Sequence, residues 1–215
     1  MIENFGDVPF FPGRVPAHVA THLTALAAEV RRAVPKLPLG INVLRNDGRT
    51  ALAVAHAVGA QFVRVNVLCG ARVADQGVIQ GIAHDLLRDR ALLGAGDVQI
   101  WADVDVKHSA PLAVRPLDEE VADTIERGLA DAVIVSGTGT GKATDLRHVL
   151  AVRAAAAGGA AVLVGSGATG KTLGQYLAHA DGAIVGTALK QGGVADHPVD
   201  VARVKELMAA AGRQH

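Results

Sequence analysis

Residues 161–172 read AVLVGSGATGKT, and the fold turns on what that string is. From Gly165 onward it fits the phosphate-loop pattern G-x-x-x-x-G-K-[ST]. That pattern uses glycines so that backbone N–H groups can wrap phosphates, a lysine to reach the β/γ-phosphates and a hydroxyl to hold Mg²⁺. Position argues against a nucleotide-hydrolysing core. A phosphate loop of that kind normally ends the first strand of its core, whereas Gly165 closes the penultimate strand-like run and only 50 residues follow it. No apolar strand ending in Asp follows either. Asp103 and Asp105 lie upstream. A P-loop NTPase acting through Gly165–Thr172 is therefore the lesser reading.

Outward from this string, short β-rich runs alternate with Ala-rich amphipathic segments. The strand-like runs are Leu39–Leu44, Phe62–Leu68, Val98–Val106, Ala132–Ser136, Ala161–Gly165 and Ala183–Gly186, with Met1–Asn4 as the tail of another. Helical spacing of apolar residues predicts helices over Ala17–Val34, Arg49–Val58, Asp75–Leu93, Leu117–Leu129, Asp145–Ala157, Leu173–Ala180 and Asp200–Ala211, the last with Asp200 as N-cap. Three strands are entered through similar phrases, Val58-Gly-Ala-Gln-Phe62, Leu129-Ala-Asp-Ala132 and His179-Ala-Asp-Gly-Ala183, each a helix end followed by a small-residue turn. A βα repeat of this kind builds a parallel sheet through right-handed crossovers. No linker or low-complexity tract divides the chain, which reads as one domain over residues 1–215.

Doubly wound strands are buried on both faces and run continuously apolar. Here Arg64 and Asn66, and then Asp103, Asp105 and Lys107, place polar residues inside strands at period two. Barrel strands can turn such residues into the lumen at their C-terminal ends, so the sequence favours an α/β (β/α)₈ TIM barrel. Only seven strands appear and the first is clipped, whereas such barrels typically take about 250 residues. The expectation is an N-terminally truncated barrel of the phosphate-binding type, with the first βα unit missing and two strand edges left unpaired. In phosphate-binding barrels the anion sits at the loops after the last two strands. Gly165, Ser166, Gly167, Gly186 and Thr187 are expected to cradle it, with Gly137 and Thr138 at the preceding strand end. Lys171 and Thr172 then start a helix and face solvent.

Composition narrows the function. Lys+Arg and Asp+Glu are 21 each, so bulk charge supports neither a nucleic-acid nor a membrane-surface role. Aromatics are 3% and apolar residues 50%, so the core is aliphatic. The single Cys69 excludes an internal disulfide and a Cys-cluster metal site. No apolar run reaches the roughly 18–20 residues of a membrane span, and MIENFGDVPFF is no signal peptide, so the expected location is cytoplasmic.

Taken in order, Met1-Ile-Glu-Asn with Asp7-Val-Pro9, Leu39-Gly-Ile-Asn42, Phe62-Val-Arg-Val-Asn-Val67, Asp75-Gln-Gly77, Ala102-Asp103 with Lys107-His-Ser109, Val135-Ser-Gly-Thr138, Val164-Gly-Ser-Gly167, Ile184-Val-Gly186 and Pro198-Val-Asp200 resemble the BtpA/SgcQ family over almost the whole chain. The resemblance implies a ribulose-phosphate-binding-type barrel. It also implies a link to photosystem I biogenesis and stability in one branch and to sugar-phosphate metabolism in the other. Family members carry a first βα unit of about 40 residues ahead of the Glu-Asn segment, comparable to one full barrel unit, and this chain lacks it.

The catalytic candidates are Glu3, Asn42, Arg64, Asn66, Asp103, Lys107 and His108, all near strand ends. A carboxylate facing Lys107 in a dry lumen suits proton transfer beside a carbonyl, as in an isomerase or epimerase, and Lys107 alternatively suits a Schiff base of the aldolase kind. A structural Asp103–Lys107 ion pair, or Arg64 simply neutralising Asp103 or Glu3, are the plainer readings. No cofactor or metal site is demanded, although Glu3, Asp103 and Asp105 leave Mg²⁺ open. Two functions stand at this point: a barrel acting on or sensing a small phosphorylated metabolite, and a non-catalytic photosystem I biogenesis factor. The open flank suits a homo-oligomer.

Overall fold

The computed structural model describes residues 1–137 and 139–212. Seven strands form one parallel sheet, in the order β1 (Ile2–Glu3), β2 (Gly40–Asn42), β3 (Phe62–Val65), β6 (Gln99–Val104), β8 (Ala132–Val135), β9 (Ala161–Val164) and β10 (Gly182–Ala183). The sheet curls as a (β/α)₈-type barrel with seven strands. β1 pairs only with β2 and β10 only with β9, so the ring stays open between them among the described residues.

Alternation along each strand sorts the two faces. Ile41, Val43, Val63, Val65, Ile100 and Ala102 point outward and pack with helices α1 (Ala17–Ala33), α2 (Gly48–Val58) and α3 (Ala83–Leu92) in one aliphatic cluster. Val104, Val133, Val135, Val162 and Val164 do the same with α4 (Leu117–Ala122), α5 (Leu146–Ala156), α6 (Leu173–Leu177) and α7 (Val201–Gly212). Three helix starts carry a side-chain cap, and Asp200 is the one the sequence predicts. Asp47 accepts from the Thr50 N–H at 3.0 Å, Asp145 from that of Arg147 at 2.9 Å and Asp200 from that of Ala202 at 2.9 Å.

The three similar phrases before strands share one device. Gln61, Asp131 and Asp181 each donate a backbone N–H to the preceding strand, at the carbonyls of Leu39, Ile100 and Val162, all at 2.8 Å. Each returns a side-chain oxygen to the N–H of that same residue, at 2.9, 2.8 and 2.8 Å. A strand's first amide, which the ladder would leave unpaired, is thereby satisfied three times over. The Asp181 carboxyl is held below the usual carboxylate range, chiefly by the Val162 N–H.

The expected helix over 75–93 is corrected. Its first third is strand: β4 (Ala71–Ala74) and β5 (Gly77–Gln80) form a hairpin, and β7 (Ser109–Pro111) pairs with the other edge of β4. Gly77, at φ 92°, turns the chain where a helix would have to continue. Val67, Ile79 and Val106 are buried beneath this small antiparallel sheet.

Candidate active site

The inner face of the sheet is charged along one half. Arg64 on β3 grips Asp103 on β6 through two bonds, Nε to Oδ2 at 3.0 Å and Nη2 to Oδ1 at 2.8 Å. Both side chains are almost wholly buried, at 4% and 0% exposure. Asn66 donates to the same carboxylate at 2.6 Å. Burial opposes the Arg64 charge, but Asp103 beside it more than offsets that and raises its pKa. Asp103 is thus committed to Arg64 and Asn66, not to Lys107. On the neighbouring strands Asn42 donates to Glu3 at 2.6 Å.

Asp105 does not share the orientation of Asp103. β6 ends at Val104, and Asp105 takes φ 49°, which breaks the alternation. Its carboxylate turns away to Arg72 at 2.5 Å. Glu3, Asp103 and Asp105 therefore have three separate sets of partners, and the described residues hold no cluster of three metal-ligating side chains. His108, at φ 59°, is exposed on the loop, where its Nε2 accepts from the Thr140 N–H at 3.3 Å. Burial first, then the Lys107 charge, push its pKa down.

The other half of the inner face is small and apolar, with Ala132, Ile134, Leu163 and Ile184 in contact. Here backbone takes the place of charge. The loop after β9 is tied to the loop after β8 by Ser166, whose Oγ accepts from the Gly137 N–H at 2.8 Å and donates to the Lys142 carbonyl at 3.1 Å. Gly167, at φ 73°, lies so close to Ala143 and Lys142 that an added Cβ would sit 2.4 Å from their backbone atoms. Among the described residues the N–H groups of Ser166, Gly167, Gly186 and Thr187 donate to no protein acceptor. Of the expected cradle, then, Ser166 offers its amide but not its hydroxyl, Gly137 has already given its amide away, and Thr138 lies outside the described residues. Thr172 does not stand free for a metal, because its hydroxyl bonds to the Thr169 N–H at 3.0 Å.

One cavity of about 1030 Å³ joins the two halves. Its wall includes Glu3, Arg64 and Lys107 from the charged side and Gly165, Ser166, Gly167, Gly186 and Thr187 from the glycine side. Asn42, Asn66, Asp103, His108 and Gly137 do not line it. Lys171 is exposed, as expected, and also borders it, as do Lys190 and Arg203, which outnumber Glu206 nearby. Sequence reasoning also passed over Arg45. This buried residue follows β2 and donates to the Lys107 carbonyl at 2.6 Å, and its position just past a strand end was the available signal. The Phe62–Trp101 stack in the wall, with ring centroids 3.6 Å apart, left no pattern in sequence. Lys107 Nζ makes no hydrogen bond or ion pair among the described residues. Burial, then the Arg64 charge, lower its pKa, with Asp103 and Glu3 acting the other way.

The model of the BtpA family matches residues 1–213. The chain is 46% identical over 210 residues to the photosystem I biogenesis protein BtpA of Synechocystis sp., covering 98% of this chain and 72% of that protein. It is 42% identical over 211 residues to an uncharacterised protein of Thermococcus kodakarensis, covering 98% of this chain and 78% of that one. Among solved structures, N-(5'-phosphoribosyl)anthranilate isomerase of Pyrococcus furiosus superposes with TM-score 0.56 at 15% identity, over 93% of this chain and 82% of that one. That last likeness concerns the fold. No helix among the described residues is long and apolar enough to cross a membrane.

Proposed function

The chain belongs to the BtpA family, and on that premise we propose that it binds and acts on a small phosphorylated metabolite. The observation that carries this reading is that four residues of two loops, whose backbone amides meet no acceptor among the described residues, line the same cavity as a carboxylate and a lysine without an ion-pair partner among them. Free amides of glycine loops suit an oxyanion, and Lys171, Lys190 and Arg203 add charge of the right sign. With the phosphate anchored there, the body of the ligand reaches toward Glu3 and Lys107. Of the charged groups on that wall, those two are left to take and return a proton, because Arg64 and Asp103 neutralise each other. The reaction class is isomerisation, epimerisation or lyase-type cleavage beside a carbonyl.

A thermal shift tests it. At about a hundred times Kd a native-state ligand adds ~2.7 kcal/mol, roughly 5–10 °C for a chain of this size. Inorganic phosphate and small sugar phosphates should each raise the Tm. Gly186→Ala is the decisive variant. Nothing lies within 4 Å of its added Cβ, so the fold should stand while the phosphate response shrinks. No shift with any of these ligands would refute the reading.

The name of the Synechocystis relative favours a second reading, a non-catalytic factor in photosystem I biogenesis. If it holds, a Glu3→Gln, Lys107→Met double variant would fully complement a deletion strain.

A further inference from the structure

Lys107 stands apart from the other inner-wall cation. Arg64 is matched by Asp103, whereas Lys107 Nζ has no carboxylate partner among the described residues. The Asp103 oxygens that would have held it as an ammonium are filled by Arg64 and Asn66. The Lys107 backbone is pinned by Arg45, which sets the start of the side chain and adds a second guanidinium nearby. A lysine that is part-buried, unpaired and flanked by guanidinium groups is in the setting that favours a neutral, nucleophilic amine.

We propose that Lys107 condenses with the carbonyl group of a small phosphorylated aldehyde or ketone to form an imine. This rests on the phosphate-binding reading above and names its substrate class. The amine lone pair attacks the carbonyl carbon while the C=O π pair moves to oxygen. Both amine hydrogens and that oxygen then leave as one water, and the C=N bond remains. A proton added to the imine nitrogen makes an iminium, which can draw in the electron pair of an adjacent C–H or C–C bond. Glu3 lines the cavity and lies close enough for its charge to act on Lys107, so it is the carboxylate assigned to carry protons between these atoms.

Borohydride trapping tests it on the full chain. The protein is incubated with dihydroxyacetone phosphate, reduced, digested and mapped by mass spectrometry. A single reduced adduct is expected on the peptide bearing Lys107 and none in Lys107→Met, whose own Tm reports that it is folded. Inorganic phosphate at about ten times its Kd should cut labelling roughly tenfold, and unphosphorylated dihydroxyacetone should label far less. Absence of an adduct, or label spread over Lys36, Lys142, Lys171, Lys190 and Lys205 and unchanged in Lys107→Met, overturns the imine. If phosphate still raises the Tm in that case, the anion site survives. Labelling of Lys107 indifferent to phosphate overturns the substrate class instead.

Discussion

The two halves of the curled sheet solve the same problem differently. β1, β2, β3 and β6 turn Glu3, Asn42, Arg64 and Asp103 inward, and these side chains satisfy one another. β8, β9 and β10 turn Ala132, Ile134, Leu163 and Ile184 inward, and the polar work passes to the backbone of the loops above them. A buried side-chain network spends most of its hydrogen-bonding capacity on itself. A small-residue wall with glycine loops leaves amides unspent. The difference explains why the charged half brings just three charged side chains, Glu3, Arg64 and Lys107, to the cavity while the glycine half supplies a run of loop backbone along it.

The comparison is broken most severely by removing a charge from the paired half. Asp103→Ala leaves Arg64 buried and uncompensated, a loss of about 3–5 kcal/mol, read by denaturant titration. An Arg64→Met, Asp103→Leu double variant should recover most of it. If the single variant cost no more than the double, the pair would not be the anchor of this half. In the glycine half the effect is smaller but falls on binding as well. Gly167→Ala forces a left-handed conformation and a close backbone contact, costing roughly 1–3 kcal/mol, and it should blunt the phosphate-induced Tm rise. A variant with parental stability and response would show that the loop is not tightly set.

Lys107→Met gives the smallest effect, and its sign is informative. The native pKa of Lys107 lies below its ordinary value, so the folded state binds the lysine's proton less well than the unfolded state. At neutral pH that lowers the parent's stability, and the penalty fades as pH rises toward the unfolded value of about 10.4. The variant should therefore melt slightly higher than the parent at pH 7, with the gap closing toward pH 10. A gap that widens with pH would contradict an unpaired, desolvated lysine.

Period-two polarity in two strands and glycines after two others were enough to read the barrel and to locate its rim. Those signals are local: a strand alternates by its own geometry, and a turn needs glycine for its own φ. The reading failed where a single backbone angle changed direction. Asp105 follows the parity of Asp103 in sequence, yet its positive φ sends it to Arg72. The hairpin at Ala71–Gln80 was hidden because eight residues of strand hold too few turns of either period to be told from the start of a helix. The tie that the Ser166 hydroxyl makes between two loops left no signal in the sequence, because its partners Gly137 and Lys142 lie on another strand's loop.

The sequence by itself determined the βα order, the aliphatic outer core and the strand ends at which polar residues gather. Each of these follows from the nearest few neighbours along the chain. Only the tertiary structure decided which polar groups consume one another and which remain free. Arg64 and Asp103 are 39 residues apart and meet across one ladder, while Lys107, four residues beyond Asp103, forms no ion pair among the described residues. Pairing of that kind depends on register and depth in the lumen, where desolvation makes a partner worth several kcal/mol and its absence a lowered proton affinity for a lysine.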